Sequence, residues 1–180
     1  VINVLMFVVA VGAGELLVRA FRGREVTPPP DPLDRREVLL SIGAVILNTL
    51  VGIAGWWLWK RGHIVVRRDV QPLRVALDVL VLLLAMDFLM YVFHRVAHTR
   101  WLYPIVHATH HLYDRPRPLS LFVLNPFEVL GFGALWLALL CVYDAAWWGV
   151  CIYLAINLAF GTVGHLGVEP MPRAIASSPL

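Results

Sequence analysis

The feature that most constrains the fold is residues 38–59, a run of 22 residues without a charged side chain. A helix of that length reaches about 33 Å, enough to cross the hydrocarbon core of a bilayer. The run ends in Trp56, Trp57 and Trp59, and tryptophan is enriched where a membrane meets water. These residues therefore predict a membrane-spanning helix.

Further apolar segments extend this pattern along the chain. The chain is 59% hydrophobic and 15% charged, with a mean hydropathy of +0.74, which is outside the range of ordinary soluble domains. The sequence predicts an all-α integral membrane bundle of four to five transmembrane helices, forming a single domain over 1–180. The predicted helices are 1–18, 38–59, 75–98, 127–142 and 145–164, the last two forming a hairpin around a polar break.

The positive charges of the chain lie in the connectors between apolar runs, so a nucleic-acid surface is not expected. If all five segments cross, the first connector (residues 19–37, called loop one), the connector after the third helix and the tail share one side of the membrane. Counting Arg95 in the last turn of the third helix, that side holds ten Lys and Arg residues against five on the other. The positive-inside tendency then predicts that this side faces the cytoplasm.

Histidines cluster on that predicted cytoplasmic side. Five of the seven lie within residues 94–111, as H-x3-H (His94, His98) followed by H-x2-HH (His107, His110, His111). Positions three or four apart share a helix face, so His94 and His98 can point at one spot. Imidazole is a common ligand of zinc, copper, iron and nickel, and a metal site is the leading hypothesis. The alternatives are a pH-sensing cluster and hydrogen bonding between helices.

The two remaining histidines receive different predictions. The second helix of the predicted hairpin, residues 145–164, ends just before His165. His165 is then expected at the same membrane face as the five clustered histidines, so it is a candidate ligand. His63 lies in a basic connector without a second candidate ligand nearby in sequence. We predict that His63 is a surface residue.

Several polar side chains on the apolar helices are candidates for supporting this site. Asp87 and Tyr91 precede His94 in helical steps. Asp87 can orient a ligand imidazole, or it can hydrogen-bond Tyr91 or Arg95. Asn157 either faces the site or hydrogen-bonds between helices.

Asp78 lies on the face of its helix opposite Asp87. Arg74, four residues earlier, is its expected partner. We assign Asp78 no role in the histidine site.

These motifs together carry a family resemblance. DFLMYVFHRVAH followed by HATHH, then NPFE and GTVGHLG, resembles the fatty acid hydroxylase/sterol desaturase superfamily of membrane di-metal oxygenases over about residues 87–169. The resemblance implies a helical bundle with two iron ions at its cytoplasmic face, zinc being an alternative in purified protein. The implied ligands are His94, His98, His107, His110, His111 and His165.

The same resemblance implies a function. Members of this superfamily use O2 and reductant to hydroxylate or desaturate lipids, so a membrane lipid (a fatty acid, a sterol or a related molecule), O2 and a separate electron donor are the expected partners. A separate donor is expected because no flavin or nicotinamide motif is found in the sequence. A cytochrome b5-like or ferredoxin-like protein is the expected donor.

One departure from the superfamily pattern concerns the end of the chain. The superfamily has a further H-x2-HH box after its isolated histidine, whereas this sequence stops at Leu180 without one. We expect either a fragment truncated at its C-terminus or a degenerate member. Glu169 is a candidate further ligand, although Pro170 disfavours helical spacing with His165. The functional alternative is a non-catalytic membrane protein with a structural or sensing metal, or an inactive fragment.

Overall fold

In a computed structural model, which describes residues 2–171, the chain forms five α-helices. They are α1 (Ile2–Ala20), α2 (Arg35–Lys60), α3 (Pro72–Ala97), α4 (Pro126–Val142) and α5 (Trp147–Gly164). Three short helical segments join α3 to α4: a π-helical turn at Tyr103–His107 and 3₁₀ turns at His110–Leu112 and Pro118–Phe122. The prediction of an all-α fold is confirmed, since the described residues form no β-strand beyond two isolated bridges.

The helices have the lengths and compositions of membrane spans. By length and composition, α1, α2, α3 and α5 can each cross a bilayer, and α4 is a shorter apolar helix of 17 residues. Local chemistry sets where they begin. The Asp34 side chain accepts a hydrogen bond from the Glu37 amide at the start of α2, and Asn125 does the same for Phe127 at the start of α4. The chain is therefore an integral membrane protein by helix length and composition.

The bundle pairs α2 with α4 and α3 with α5, and α1 packs against α5 and residues 118–122. Its core lies between α3, α4 and α5, where Leu82, Met86 and Leu140 are buried. The Trp136 ring stacks on Tyr153 with a centroid distance of 4.9 Å. Nonpolar packing of this kind fixes the positions of the helix ends that carry polar groups.

One end of the bundle brings together loop one, the connector between α3 and α4, and the residues after α5. The Val26 amide donates to Gly167 O at 3.0 Å, and the Glu169 amide donates to Arg24 O at 2.9 Å. Arg117 pairs with the buried Glu37 carboxylate at 3.1 Å. The sequence predicted that these three segments share one side of the membrane. Arg173, the basic residue of the tail, lies outside the described residues. Which side faces the cytoplasm stays a prediction.

The opposite end is held by Asp78, and here the structure corrects the sequence. Asp78 is 2% exposed and accepts hydrogen bonds from Arg67 Nη2 at 2.7 Å, Tyr143 Oη at 2.7 Å and the Ala146 amide at 2.9 Å. Arg74 instead lies 3.8 Å from Asp69. The predicted Asp78–Arg74 pair is wrong because the turn between α4 and α5 covers Asp78, while Arg74 remains exposed to solvent.

The contact between α2 and α4 depends on a glycine. A Cβ added at Gly133 would lie 2.5 Å from Val51 Cγ2, closer than real Cβ contacts. We expect Gly133→Ala to destabilise the bundle by about 1–3 kcal/mol through overpacking. Gly43→Ala in α2 is the matched control, because nothing lies within 4 Å of its added Cβ. Thermal unfolding in detergent checks this, and equal midpoints for the two variants would contradict it.

Candidate metal centre

The structure brings all six histidines predicted as ligands into one continuous group, which we call the histidine cluster. His107 lies at its centre. Its ring centroid is 4.4 Å from that of His94 and 4.7 Å from those of His98 and His111. His110 continues the group to His165 at 6.3 Å. His63 is exposed and lies on the connector between α2 and α3, at the opposite end of the bundle.

Local backbone structure presents these imidazoles from three segments. α3 ends at Ala97, and the His98 amide, just beyond it, donates to His94 O. His107 closes the π-helical turn, and π-helical turns recur at functional sites. The side chain of Asn125, which caps α4, also donates to Ile105 O at 2.9 Å and so ties this turn to α4.

A carboxylate that the sequence analysis did not assign orients the central histidine. Glu128, in the first turn of α4, is 2% exposed, and its Oε1 lies 2.7 Å from His107 Nδ1. With the Glu128 carboxylate ionised, His107 Nδ1–H donates to it, and Nε2 is then left as a lone-pair donor for a ligand. The available signal was an acidic residue at the start of an apolar helix, within the quoted NPFE motif.

Unpartnered buried atoms show that the site fits a metal ion. His107 Nε2 and Glu128 Oε2 are buried without a hydrogen-bond partner among residues 2–171. The nearest ligand atoms of His94, His98 and His107 all lie within 4.8 Å of one another, close to the separation of about 3–4 Å between ligands on one ion. Buried polar atoms are rarely left unpaired without a reason. The three imidazoles and their spacing fit a transition-metal site.

The protonation state of the cluster also suits metal binding. Burial, together with the neighbouring imidazoles, lowers the pKa of His107 from 6.5 to about 4. Burial also lowers the pKa of His110, with His165 nearby adding to the effect. Both rings are therefore neutral at physiological pH, and the neutral form is the one that binds metals.

His165 lies at the edge of the histidine cluster, next to His110. Its Nδ1 donates to Gly161 O at 2.8 Å, which leaves Nε2 free. With His110 it lines a polar cavity of about 170 Å³ whose other walls include Tyr113, Asp114 and Ser120. This cavity gives the His110–His165 side of the cluster room for a second ion or a water molecule.

The structure does not join the other predicted supporting residues to the cluster. Asp87, Tyr91 and Asn157 are exposed, and none forms a side-chain hydrogen bond with another described residue. Glu169 Oε1 accepts from the Met171 amide at 2.8 Å instead of approaching His165. Supporting roles for Asp87, Tyr91 and Asn157 stay predictions.

Glu128 offers a test of how the central imidazole is held. We expect Glu128→Gln to weaken metal affinity by about tenfold, at the lower end of the effect of losing a carboxylate partner, because glutamine keeps the shape and loses the charge. Competition with a chelator measures this. Asp144→Asn, at an exposed position in the α4–α5 turn, is the control. Unchanged affinity in Glu128→Gln would contradict the role of the carboxylate.

Fold and site together define a class: a helical membrane protein with a histidine cluster suited to a metal. A sequence model of the fatty acid hydroxylase family matches residues 79–179, more than half of the chain. The chain belongs to the fatty acid hydroxylase family. The family is metal-dependent, in agreement with the histidine cluster.

Curated relatives are similar over parts of the chain. The very-long-chain aldehyde decarbonylase GL1-8 of Oryza sativa subsp. indica is 33% identical over 108 residues, 58% of this chain and 39% of the relative. Methylsterol monooxygenase 2-1 of Arabidopsis thaliana is 39% identical over 59 residues, 33% of this chain and 22% of the relative. The matches thus span less than half the length of these relatives. No solved structure gives a significant match.

Proposed function

We propose that this chain is the core of an iron-dependent, O2-using enzyme that hydroxylates or desaturates a membrane lipid. Its six clustered histidines would hold two iron ions at the cytoplasmic face. The observation that carries the proposal concerns His107, whose Nδ1 lies 2.7 Å from Glu128 Oε1 while its buried Nε2 has no hydrogen-bond partner in the described part of the chain. That arrangement presents a neutral, oriented donor atom to the centre of the cluster.

The choice of chemistry follows from the class of substrate. An alkyl C–H bond offers no acidic or basic group, so the bound irons would supply the activation of O2. The histidines of this chain would hold the ions as neutral imidazoles, at the end of an apolar bundle. A lipid could then reach the site from the membrane without passing through water.

The relatives support a lipid substrate without choosing the reaction. Their names refer to a very-long-chain aldehyde and a methylsterol, which are both lipids. We propose that the substrate of this chain is a fatty acid, a sterol or a related lipid, and that electrons come from a separate cytochrome b5-like or ferredoxin-like donor. Residues 1–180 would act as one membrane-embedded domain.

Isotope labelling tests the proposed function. The protein, as its gene encodes it, is expressed in iron-supplemented cells, and its membranes are supplied with reductant, an electron donor and 18O2. We expect new lipid products by mass spectrometry, with label in the lipid for hydroxylation or two hydrogens lost for desaturation. His111→Ala should abolish the products, and His63→Ala should keep them. Bound zinc without O2 consumption would instead support a structural or sensing metal.

A further inference from the structure

A cavity of about 1000 Å³ lies at the end of the bundle opposite the histidine cluster. Its walls are the second halves of α2 and α4 and the start of α5. α2 begins beside Arg117 at the histidine end, so Trp56, 19 residues after Glu37, lies about 28 Å further along the helix. We call this space the distal groove.

The distal groove is separate from the histidine cluster. Between them α2 and α4 are in close contact, with Val51 packed onto the backbone at Gly133. No histidine lines the groove, whose surface is nearly all aliphatic and aromatic. Its volume is at the upper end of the range of about 300–1,000 Å³ for ligand sites. A large apolar molecule fits it.

One charged side chain, Arg68, is found among the described residues lining the groove. Arg68 is exposed and forms no ion pair with a described residue, whereas the neighbouring Arg67 binds Asp69 and Asp78. The groove therefore combines apolar walls with one available guanidinium.

Tryptophans place the opening of the groove at the depth of lipid headgroups. Trp56 and Trp59 at the end of α2, and Trp147 and Trp148 at the start of α5, are exposed and line the groove. Tryptophan prefers the membrane interface. Because Arg68 lines the groove together with these tryptophans, we expect its guanidinium to lie at the depth of lipid phosphates.

We propose that the distal groove binds a glycerophospholipid from the leaflet opposite the histidine cluster. An acyl chain would lie against α2, α4 and α5, and the phosphate would pair with Arg68. A guanidinium matches the geometry of phosphate oxygens and forms charge-assisted hydrogen bonds with them. Free phosphate would leave the apolar walls uncovered, whereas a phospholipid satisfies both parts of the site.

Native mass spectrometry of delipidated protein tests the proposal with two probes, dioleoylphosphatidylglycerol and dioleoylglycerol. The probes share their acyl chains, and the second has no phosphate. We expect one phosphatidylglycerol per chain and about fivefold weaker binding of the diacylglycerol, equivalent to ~1 kcal/mol. Equal binding of the two probes would overturn the assignment of the phosphate to Arg68.

Charge variants locate the headgroup. Arg68→Gln should weaken phosphatidylglycerol binding about fivefold, the effect of one basic residue near a lipid surface. Arg61→Gln is the matched control, because Arg61 lies on the same connector and stacks over Trp57 outside the groove. Equal losses in both variants would indicate general surface attraction and would refute a site at Arg68.

A filling variant locates the acyl chain. Gly52 lines the groove, and the described atom nearest to its added Cβ is Asn3 Nδ2 at 3.8 Å, so Gly52→Leu should project into the groove and weaken lipid retention. Gly43→Leu, on the same helix and outside the groove, should retain the lipid. Lipid retention by Gly52→Leu equal to that of the wild type would refute the proposal. Metal content, measured alongside, should stay unchanged, so the outcome is independent of the proposed function.

Discussion

Replacing His107 by alanine is expected to abolish stoichiometric metal binding and all turnover that depends on the metal. The centroid of the His107 ring lies within 4.7 Å of those of His94, His98 and His111. Its loss therefore removes the nitrogen donor at the centre of the histidine cluster. Losing a residue that coordinates the metal itself, as we propose for His107, should weaken metal affinity by more than the roughly 10–100-fold that follows loss of a residue hydrogen-bonded to a ligand. Elemental analysis of detergent-purified protein measures the effect.

Two variants accompany this test. His63→Ala removes an exposed histidine outside the cluster and should keep the wild-type metal content. His107→Ala also strands the buried Glu128 carboxylate, which by itself costs stability. The double variant His107→Ala/Glu128→Ala removes that charge, so it should regain stability and still lack metal. Full metal content in either His107 variant would refute the central role of this histidine.

Asp78→Ala should cause the largest loss of stability among substitutions outside the metal site. The change keeps the Cβ that packs against Gly149 and removes the acceptor shared by Arg67, Tyr143 and the Ala146 amide. Breaking a buried ion pair lowers the free energy of unfolding by about 3–5 kcal/mol. We expect the lower value here, because Arg67 is only half-buried and water can solvate its charge once Asp78 is lost. For a chain of this size ~3 kcal/mol corresponds to a decrease in Tm of about 6–12 °C.

Milder substitutions around Asp78 provide a comparison for the loss of stability in Asp78→Ala. Tyr143→Phe removes one hydrogen bond to Asp78 and should cost about 1 kcal/mol. Asp144→Asn, exposed in the same turn, should change little. Thermal unfolding in detergent ranks the three variants. If Asp78→Ala unfolded at the same temperature as Asp144→Asn, the turn would not depend on this carboxylate.

Much of the architecture could be read from the sequence because it depends on local properties. Uncharged runs such as 38–59 predict spanning helices from hydropathy alone, and prolines and polar breaks mark their ends. The spacing of His94 and His98 on one helix is likewise a local property. Counting membrane crossings predicted that His107, His110, His111 and His165 would lie near His94 and His98. The structure places all six rings together.

Contacts between residues distant in sequence were decided by tertiary packing. Glu128 reaches His107 across 21 residues, and Tyr143 reaches Asp78 across 65, because helix packing brings their segments together. Helical spacing instead suggested Arg74 as the partner of Asp78 and Asp87 as a support for the histidines. Sequence spacing shows which side chains share a face of a helix, whereas only the packing of the helices determines what that face meets. The sequence therefore determined which histidines are candidate metal ligands, and the fold determined that the Glu128 carboxylate contacts His107.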